Sequence, residues 1–236
     1  MCYNQIVMRY IISLLAQFLA VMIVITFHEF AHAFIAYRCG DATAKEEGRM
    51  TLNPIKHFDP IGIVMFALVG FGWAKPVPVN PYRFRNYRKG SFWTSAAGII
   101  TNYAMAFSVY PILLLVVQFV CPGLNFQSYF DFFLYRFLQC IVIYSLSFCV
   151  FNLLPFYPLD GFRMIDALDK KQGKVVTFLR LYGNYVLIGL IVLSFLAEHI
   201  TFLRVVDVLG YVLTFAVDIF GKPITAFWLW IFGYIF

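Results

Sequence analysis

One short stretch places three ionisable side chains inside an otherwise apolar segment. Residues 26–33 read Thr-Phe-His-Glu-Phe-Ala-His-Ala. On a helix, His28 and His32 lie one turn apart on the same face, about 6 Å along the axis. Two imidazoles so placed can bind one zinc ion, and Glu29 can act as a general base on water that this ion polarises. Such groups are costly in hydrocarbon, so a functional site is favoured over a chance pattern whose histidines only hydrogen-bond neighbouring helices.

The composition indicates an integral membrane protein. Of the 236 residues, 62% are hydrophobic and 13% are charged, and several apolar runs are long enough to cross about 30 Å of hydrocarbon. The run that follows Arg9 contains the histidine motif, so it is not expected to be a removable signal peptide. Because no Ser/Gly-rich linker is present, we expect a single membrane-embedded domain over residues 1–236. The five cysteines form no Cys-x-x-Cys pair and are not assigned to a metal.

The hydropathy pattern predicts an all-α polytopic membrane protein with about five transmembrane helices. The apolar run 61–73 is too short to span and is bounded by prolines, so it is expected to form a re-entrant or membrane-edge hairpin. The segment 224–236, rich in Trp and Phe, is expected to form a short C-terminal interfacial helix. The five expected spans cover residues 6–37, 91–120, 132–154, 175–197 and 205–220.

The segment that follows this short run is rich in proline and reads Lys75-Pro-Val-Pro-Val-Asn-Pro81. Its prolines enforce extended backbone and remove hydrogen-bond donors. Two interpretations are equally supported. The segment can lie beside an extended peptide, or it can be a rigid connector.

The basic residues predict an orientation. With the spans above, 15 of the 18 Lys and Arg residues, Lys222 among them, fall on one side. The positive-inside rule therefore puts the N-terminus outside and those loops in the cytoplasm, so the net charge of +6 has a topological role and indicates no nucleic-acid partner. The second half of the first span and the end of the third then lie at one depth.

A third metal ligand is expected from elsewhere in the chain, because catalytic zinc usually has three protein ligands and an open position. Asp160 is the best candidate, since two prolines and a glycine hold it in a non-helical turn at the end of the third span. The alternative is that Asp160 caps the short surface helix expected after it. Asn102 is a candidate donor to the oxyanion of an attacked peptide carbonyl, although a hydrogen bond between helices is the simpler interpretation.

Three other polar residues are weaker candidates. His57 and Asp59 flank a proline-bounded turn near a basic surface, where a hydrogen-bonding role is more common than metal binding. His57 and Asp59 are kept as second-tier candidates, together with Asn152 at the start of the turn before Asp160. His199 is predicted on the outer side, remote from the motif, and is expected to be structural or solvated.

These motifs together resemble the site-2 proteases, a family of intramembrane zinc metalloproteases. The resemblance is carried by His-Glu-x-x-His in the first span, by Gly98-x-x-x-Asn102, and by Asn152-Leu-Leu-Pro-x-x-Pro-Leu-Asp160-Gly. The sequences Leu-Asn-Pro-Ile-Lys-His57-Phe-Asp-Pro-Ile-Gly and Gly-Trp-Ala-Lys-Pro-Val-Pro-Val-Asn-Pro81 resemble the compact prokaryotic subgroup without PDZ or CBS domains. The similarity covers about residues 20–165. The helices expected in 175–236 carry no recognised motif.

The resemblance implies one zinc ion per chain, held by His28, His32 and Asp160. It implies Glu29 as catalytic acid and base and a supporting role for Asn102 near the reacting carbonyl. Substrates would be transmembrane segments of other proteins in a prokaryotic cell membrane, cut in regulated proteolysis or in clearing remnant signal peptides. Homo-oligomerisation is left open. Ala-Gly98-Ile replaces the more usual Ala-Gly-Pro, which leaves the metal ligands unchanged.

The competing hypothesis is a zinc transporter or a zinc-stabilised scaffold without turnover. Against transport, the acids and imidazoles within the predicted spans converge on one site and form no chain across the membrane. The presence of Glu29 favours the enzyme, because neither alternative needs a general base.

Overall fold

The computed structural model describes residues 2–69, 72, 74–171 and 173–235. Within them, five helices are long and apolar enough to cross a membrane, and these are Gln5–Cys39, Tyr87–Phe119, Tyr129–Leu153, Lys174–His199 and Val208–Gly233. This confirms the prediction of an all-α polytopic protein with about five such helices. The eight α-helices of the described residues are α1 (Cys2–Cys39), α2 (Thr43–Glu46), α3 (Pro60–Val69), α4 (Tyr87–Phe119), α5 (Tyr129–Leu153), α6 (Asp160–Leu168), α7 (Lys174–His199) and α8 (Val208–Ile235).

Helices α1, α4 and α5 pack against one another and form the centre of the bundle. Ala20 and Val24 of α1 are fully buried against Cys140 and Ile141 of α5. Small residues at such contacts let helix backbones approach closely, which is how helices associate in a membrane without a hydrophobic driving force. The short helix α6 packs on α4 and α5 at one end of this bundle.

The end of α1 is a Schellman turn that reverses the chain directly after the histidine motif. Gly40 has φ +115°, its N–H donates to Tyr37 O (3.1 Å), and the N–H of Asp41 donates to Ala36 O (2.9 Å). A residue with a Cβ is strained at this φ, so glycine is favoured here. The turn brings Asp41 back against the bundle, where its side chain is 1% exposed.

A hairpin built around α3 follows. Asp59 Oδ1 caps α3 by accepting hydrogen bonds from the N–H groups of Ile61 and Gly62, both at 2.9 Å. After α3 the chain returns, and Ala74 forms an isolated antiparallel bridge with Phe58. At about 1.5 Å per residue, α3 is about half as long as the hydrocarbon layer is thick. This agrees with a short, non-spanning element, although residues 70, 71 and 73 of the predicted run lie outside the described residues.

The separate C-terminal interfacial helix predicted for 224–236 is not observed. Instead, α8 continues through Pro223 as one helix to Ile235. A proline in a helix interior typically costs about 3 kcal/mol. Tertiary packing offsets this cost, because Ile224 is 1% exposed and the indole N–H of Trp228 donates to Phe107 O of α4 (2.8 Å).

Helix α8 runs in the same direction as α4. Phe220 contacts Tyr103, and further along both helices Trp228 contacts Phe107. Because α8 extends from Val208 to Ile235, Lys222 lies inside this helix, where it pairs with Asp218 (2.7 Å). The prediction that Lys222 lies in a loop after the fifth span is wrong. Without Lys222, 14 of the 18 Lys and Arg residues remain on the predicted cytoplasmic side.

Candidate metal centre

Three buried side chains from two distant parts of the chain converge at one point. His28 and His32 come from α1, and Asp160 is the first residue of α6. The two Nε2 atoms are 2.9 Å apart, and Asp160 Oδ2 lies 3.1 Å from His32 Nε2 and 3.4 Å from His28 Nε2. In the described chain they form the one group of three or more His, Cys, Asp or Glu residues able to share a metal ion.

This group fits a zinc ion. Tetrahedral zinc with ligands at about 2.0–2.1 Å needs donor atoms about 3.3 Å apart, and the observed separations bracket that value. Among the described residues, the buried Asp160 Oδ2 has no polar neighbour other than the two imidazole nitrogens. Burial favours the neutral acid, but the adjacent imidazoles of His32 and His28 outweigh it and hold the pKa of Asp160 well below its usual range. Three donors leave one tetrahedral position for water or substrate.

The turn before α6 explains why Asp160 points into this site. The N-cap of α6 is Leu159, and Asp160 is already the first helical residue, so the capping alternative is wrong. A Cβ on Gly161 would lie 2.5 Å from Leu153 C and 2.6 Å from Leu154 O. Glycine at this position thus lets the start of α6 lie directly on the end of α5.

His32 is oriented from behind by the α4 backbone. Its Nδ1 lies 2.7 Å from Thr94 O, so the ring donates Nδ1–H to this carbonyl. That tautomer leaves the lone pair of Nε2 free for a metal. The role of Thr94 could not be predicted from the sequence, because a main-chain carbonyl contributes no residue-type signal.

Asn102 contacts the other imidazole, that of His28, through its side chain. It is fully buried, its Nδ2 lies 3.1 Å from His28 Nδ1, and its Oδ1 is buried without a hydrogen-bond partner in the described chain. A half-turn of the carboxamide would place Oδ1 against Nδ1–H, satisfy both groups and free Nε2 of His28 for a metal. The geometry therefore supports a role for Asn102 in orienting His28, and its oxyanion role stays a prediction.

Replacing Asn102 with Leu should weaken zinc binding by about 10–100-fold, because the orienting partner of His28 is lost. Zinc affinity is measured by competition with a chelating dye, and Asn125→Leu in the exposed loop after α4 is the matched control. Unchanged zinc affinity together with a lower kcat would instead favour the oxyanion role.

Gly98 makes room for both imidazoles. A Cβ at this position would collide with His28 Cε1 and would lie 2.6 Å from His32 Nε2 and 2.7 Å from His28 Nδ1. Gly98 therefore leaves space for the two histidine rings. This is a more specific role than the close packing of helices that small residues usually permit.

The substitution Gly98→Ala should displace both Nε2 atoms and abolish stoichiometric zinc binding. The matched control is Gly189→Ala in α7, where a Cβ meets nothing within 4 Å. Elemental analysis of both variants after metal-free gel filtration checks this, and a zinc content near the wild-type value in Gly98→Ala would contradict the observed packing.

Glu29 lies next to the three converging groups but is not one of them. The residue is 8% exposed, and its Oε2 accepts a hydrogen bond from the N–H of Val77 (2.8 Å). Together with His28, it lines a cavity of about 470 Å³ between α1, α5 and the hairpin. The hydrogen bond from Val77 to Glu29 was not among the predicted features of the site.

The second-tier residues lie outside the three-residue group. His57 is fully buried and its Nε2 lies 2.7 Å from Thr51 O, which supports a hydrogen-bonding role. Asn152 donates to Phe148 O (3.1 Å) and lines the cavity beside Glu29. His199 is exposed, and its Nδ1 contacts Phe195 O.

Comparisons with known proteins agree with this chemistry. A protein of Bacillus subtilis (strain 168) named "Putative zinc metalloprotease YwhC" is 41% identical over 160 residues, which cover 67% of this chain and 72% of that protein. "Putative zinc metalloprotease Rip2" of Mycolicibacterium smegmatis (strain ATCC 700084 / mc(2)155) is 28% identical over 172 residues, which cover 70% of this chain and 62% of that protein. The chain thus spans less than two thirds of the second relative. No family model and no solved structure matches. Through these relatives, the chain belongs to the site-2 protease family of zinc metalloproteases.

Proposed function

We propose that this protein is an intramembrane zinc endopeptidase that cleaves transmembrane segments of other membrane proteins. The observation that carries the proposal is the convergence of His28, His32 and Asp160 beside Glu29, at the wall of a cavity between membrane-type helices. A buried group of this kind is expensive within a membrane, which argues for a function.

The chemistry follows from the positions of these groups. When bound, zinc supplies a Lewis acid that makes water nucleophilic near neutral pH. His28, His32 and Asp160 would hold the ion through the three atoms that converge. Glu29, outside this set, would take the proton of the attacking water and pass it to the leaving amine.

A substrate segment is expected to be extended where it is cut. Helical peptide carbonyls are bonded within their own helix and are shielded from attack. We therefore propose that a substrate helix unwinds locally before cleavage. Aromatic side chains from α1, the hairpin and α5 line the cavity, which suits an apolar segment, and they are Phe18, Phe58, Tyr144, Phe148 and Phe151.

The proposed setting is a prokaryotic cell membrane, with the N-terminus of α1 outside and the metal centre toward the cytoplasm. The support is the excess of Lys and Arg between α1 and α4 and after α5. In this orientation water reaches Glu29 from the cytoplasmic side. The proposed partners are the lipid bilayer and a membrane-protein substrate.

The experiment is cleavage by purified protein in liposomes. Wild-type protein with about one zinc per chain should cut a transmembrane helix peptide within its apolar segment, as located by mass spectrometry, and removal of zinc by a chelator should stop cleavage. Zinc flux into the liposomes without peptide cleavage would overturn the proposal in favour of transport.

A further inference from the structure

A buried arginine near the metal centre is used by none of the steps above. Arg49 is 8% exposed, and its Nη2 donates to two main-chain carbonyls, Lys75 O (2.8 Å) and Pro76 O (3.2 Å). In the described chain, no carboxylate pairs with Arg49 and its Nε is buried without a partner. A buried guanidinium without a counter-charge is costly, so a specific role is expected for it.

The segment that Arg49 holds is anchored at both ends. The N–H of Lys75 donates to His57 O (2.9 Å), and the N–H of Asn80 donates to Asp41 Oδ2 (2.6 Å). Asp41 is itself fixed, because Oδ1 accepts a hydrogen bond from Thr43 N at 3.0 Å. Residues 75–80 are therefore held from the Schellman turn on one side and from the hairpin on the other.

The sequence of this segment leaves one donor at its centre. Pro76 and Pro78 have no N–H, so the N–H of Val77 is the only main-chain donor within these three residues. This N–H donates to Glu29 Oε2 at 2.8 Å. The Val77 side chain is buried against Ala33 and Ala44, which fixes the segment against α1.

We propose that Arg49 is a positioning residue for Glu29, acting through the main chain of residues 75–77. Arg49 fixes the carbonyls of Lys75 and Pro76, and this places the Val77 N–H on Oε2. The carboxylate is then held by one oxygen, and its other oxygen serves the reacting water. The inference rests on the proposed function, and it assigns the proline-rich segment a role in catalysis beyond that of a connector.

Magnitudes follow from the geometry that proton transfer requires. Displacing a reacting group by about 1 Å can cost about 100-fold in rate. We expect Arg49→Met to lower kcat by about 10–100-fold, with KM changed by less than about threefold and zinc content near the wild-type value. Arg49→Lys should recover part of the loss, because a lysine ammonium can hold one carbonyl but not two in a fork.

The Val77 N–H can be removed directly. Val77→Pro deletes the donor, whereas Val77→Ala keeps it and shortens the side chain, so kcat should fall at least about tenfold further in the proline variant. Should Arg49→Met fail to fold, this pair tests the same hydrogen bond. The matched control for loss of a cation is Arg83→Met, which breaks an exposed pair with Glu46 and should leave kcat unchanged.

The experiment measures kcat, KM and bound zinc for these variants and for the double variant Arg49→Met/Val77→Pro. If Arg49 acts through the Val77 N–H, the double variant should be no slower than Val77→Pro alone. The positioning role would be overturned if the losses in kcat multiplied in the double variant. It would also be overturned by a raised KM with unchanged kcat, or by a loss of zinc in parallel with kcat. Active wild type with an unaffected Arg49→Met would overturn this inference alone, whereas an inactive wild type that binds zinc would overturn the proposed function as well.

Discussion

Replacing Glu29 with Gln should abolish measurable peptide cleavage while leaving about one zinc per chain. General acid–base catalysis typically contributes about 10²–10⁴-fold, and an amide cannot accept the proton. Zinc should remain, because Glu29 is not among the three converging groups. The amide oxygen can still accept the hydrogen bond from Val77, so the local structure should be kept. Single-turnover cleavage of a transmembrane peptide and elemental analysis of the same preparation measure both quantities.

The matched control for this substitution is Glu47→Gln. Glu47 lies just after α2 and is exposed, so its loss should change neither zinc content nor rate. Turnover retained in Glu29→Gln would remove Glu29 from the role of general base. Loss of zinc in that variant would show that Glu29 is itself a ligand.

Asp160→Ala should reduce bound zinc from about one per chain to a small fraction, and cleavage should be lost with it. Two imidazoles alone give an incomplete ligand set, and catalytic zinc usually has three protein ligands. Asp160→Asn keeps the shape of the side chain but removes its charge, and it should also bind zinc more weakly. Zinc is measured after gel filtration in metal-free buffer.

Another aspartate on the same short helix gives the control. Asp166 of α6 pairs with Arg180 at the surface, so Asp166→Asn changes a charge on α6 without touching the three converging groups. Zinc content should then be unchanged. If Asp160→Ala kept a full zinc complement, Asp160 would not be a ligand, and the third donor would have to come from another group.

Much of the candidate site could be predicted from residue types and spacing. The i and i+4 positions of His28 and His32 fix their common face on any helix, and a proline-bounded turn marked Asp160 as the third member. The structure places their donor atoms 2.9–3.4 Å apart. The five long apolar helices were also predictable, because length and hydropathy alone define them.

The remaining features depend on main-chain atoms and on packing between distant segments. The contact of Thr94 O with His32 uses a carbonyl that every residue has, and the contact of Val77 N with Glu29 uses an N–H that every residue except proline has. Pro223 predicts a helix end by local rules, but packing of Ile224 and Trp228 on α4 and α5 overrides it. Such tertiary contacts are not encoded in a local pattern.

The distance along the chain between the proposed ligands has a consequence for biosynthesis. His28 and His32 belong to α1, whereas Asp160 lies 128 residues after His32. A ribosome-bound chain that has inserted α1 and α4 thus carries two imidazoles but no complete ligand set. On the proposed ligand set, a chain that ends before α6 lacks the third donor, and we expect such truncated chains to bind no zinc and to be inactive.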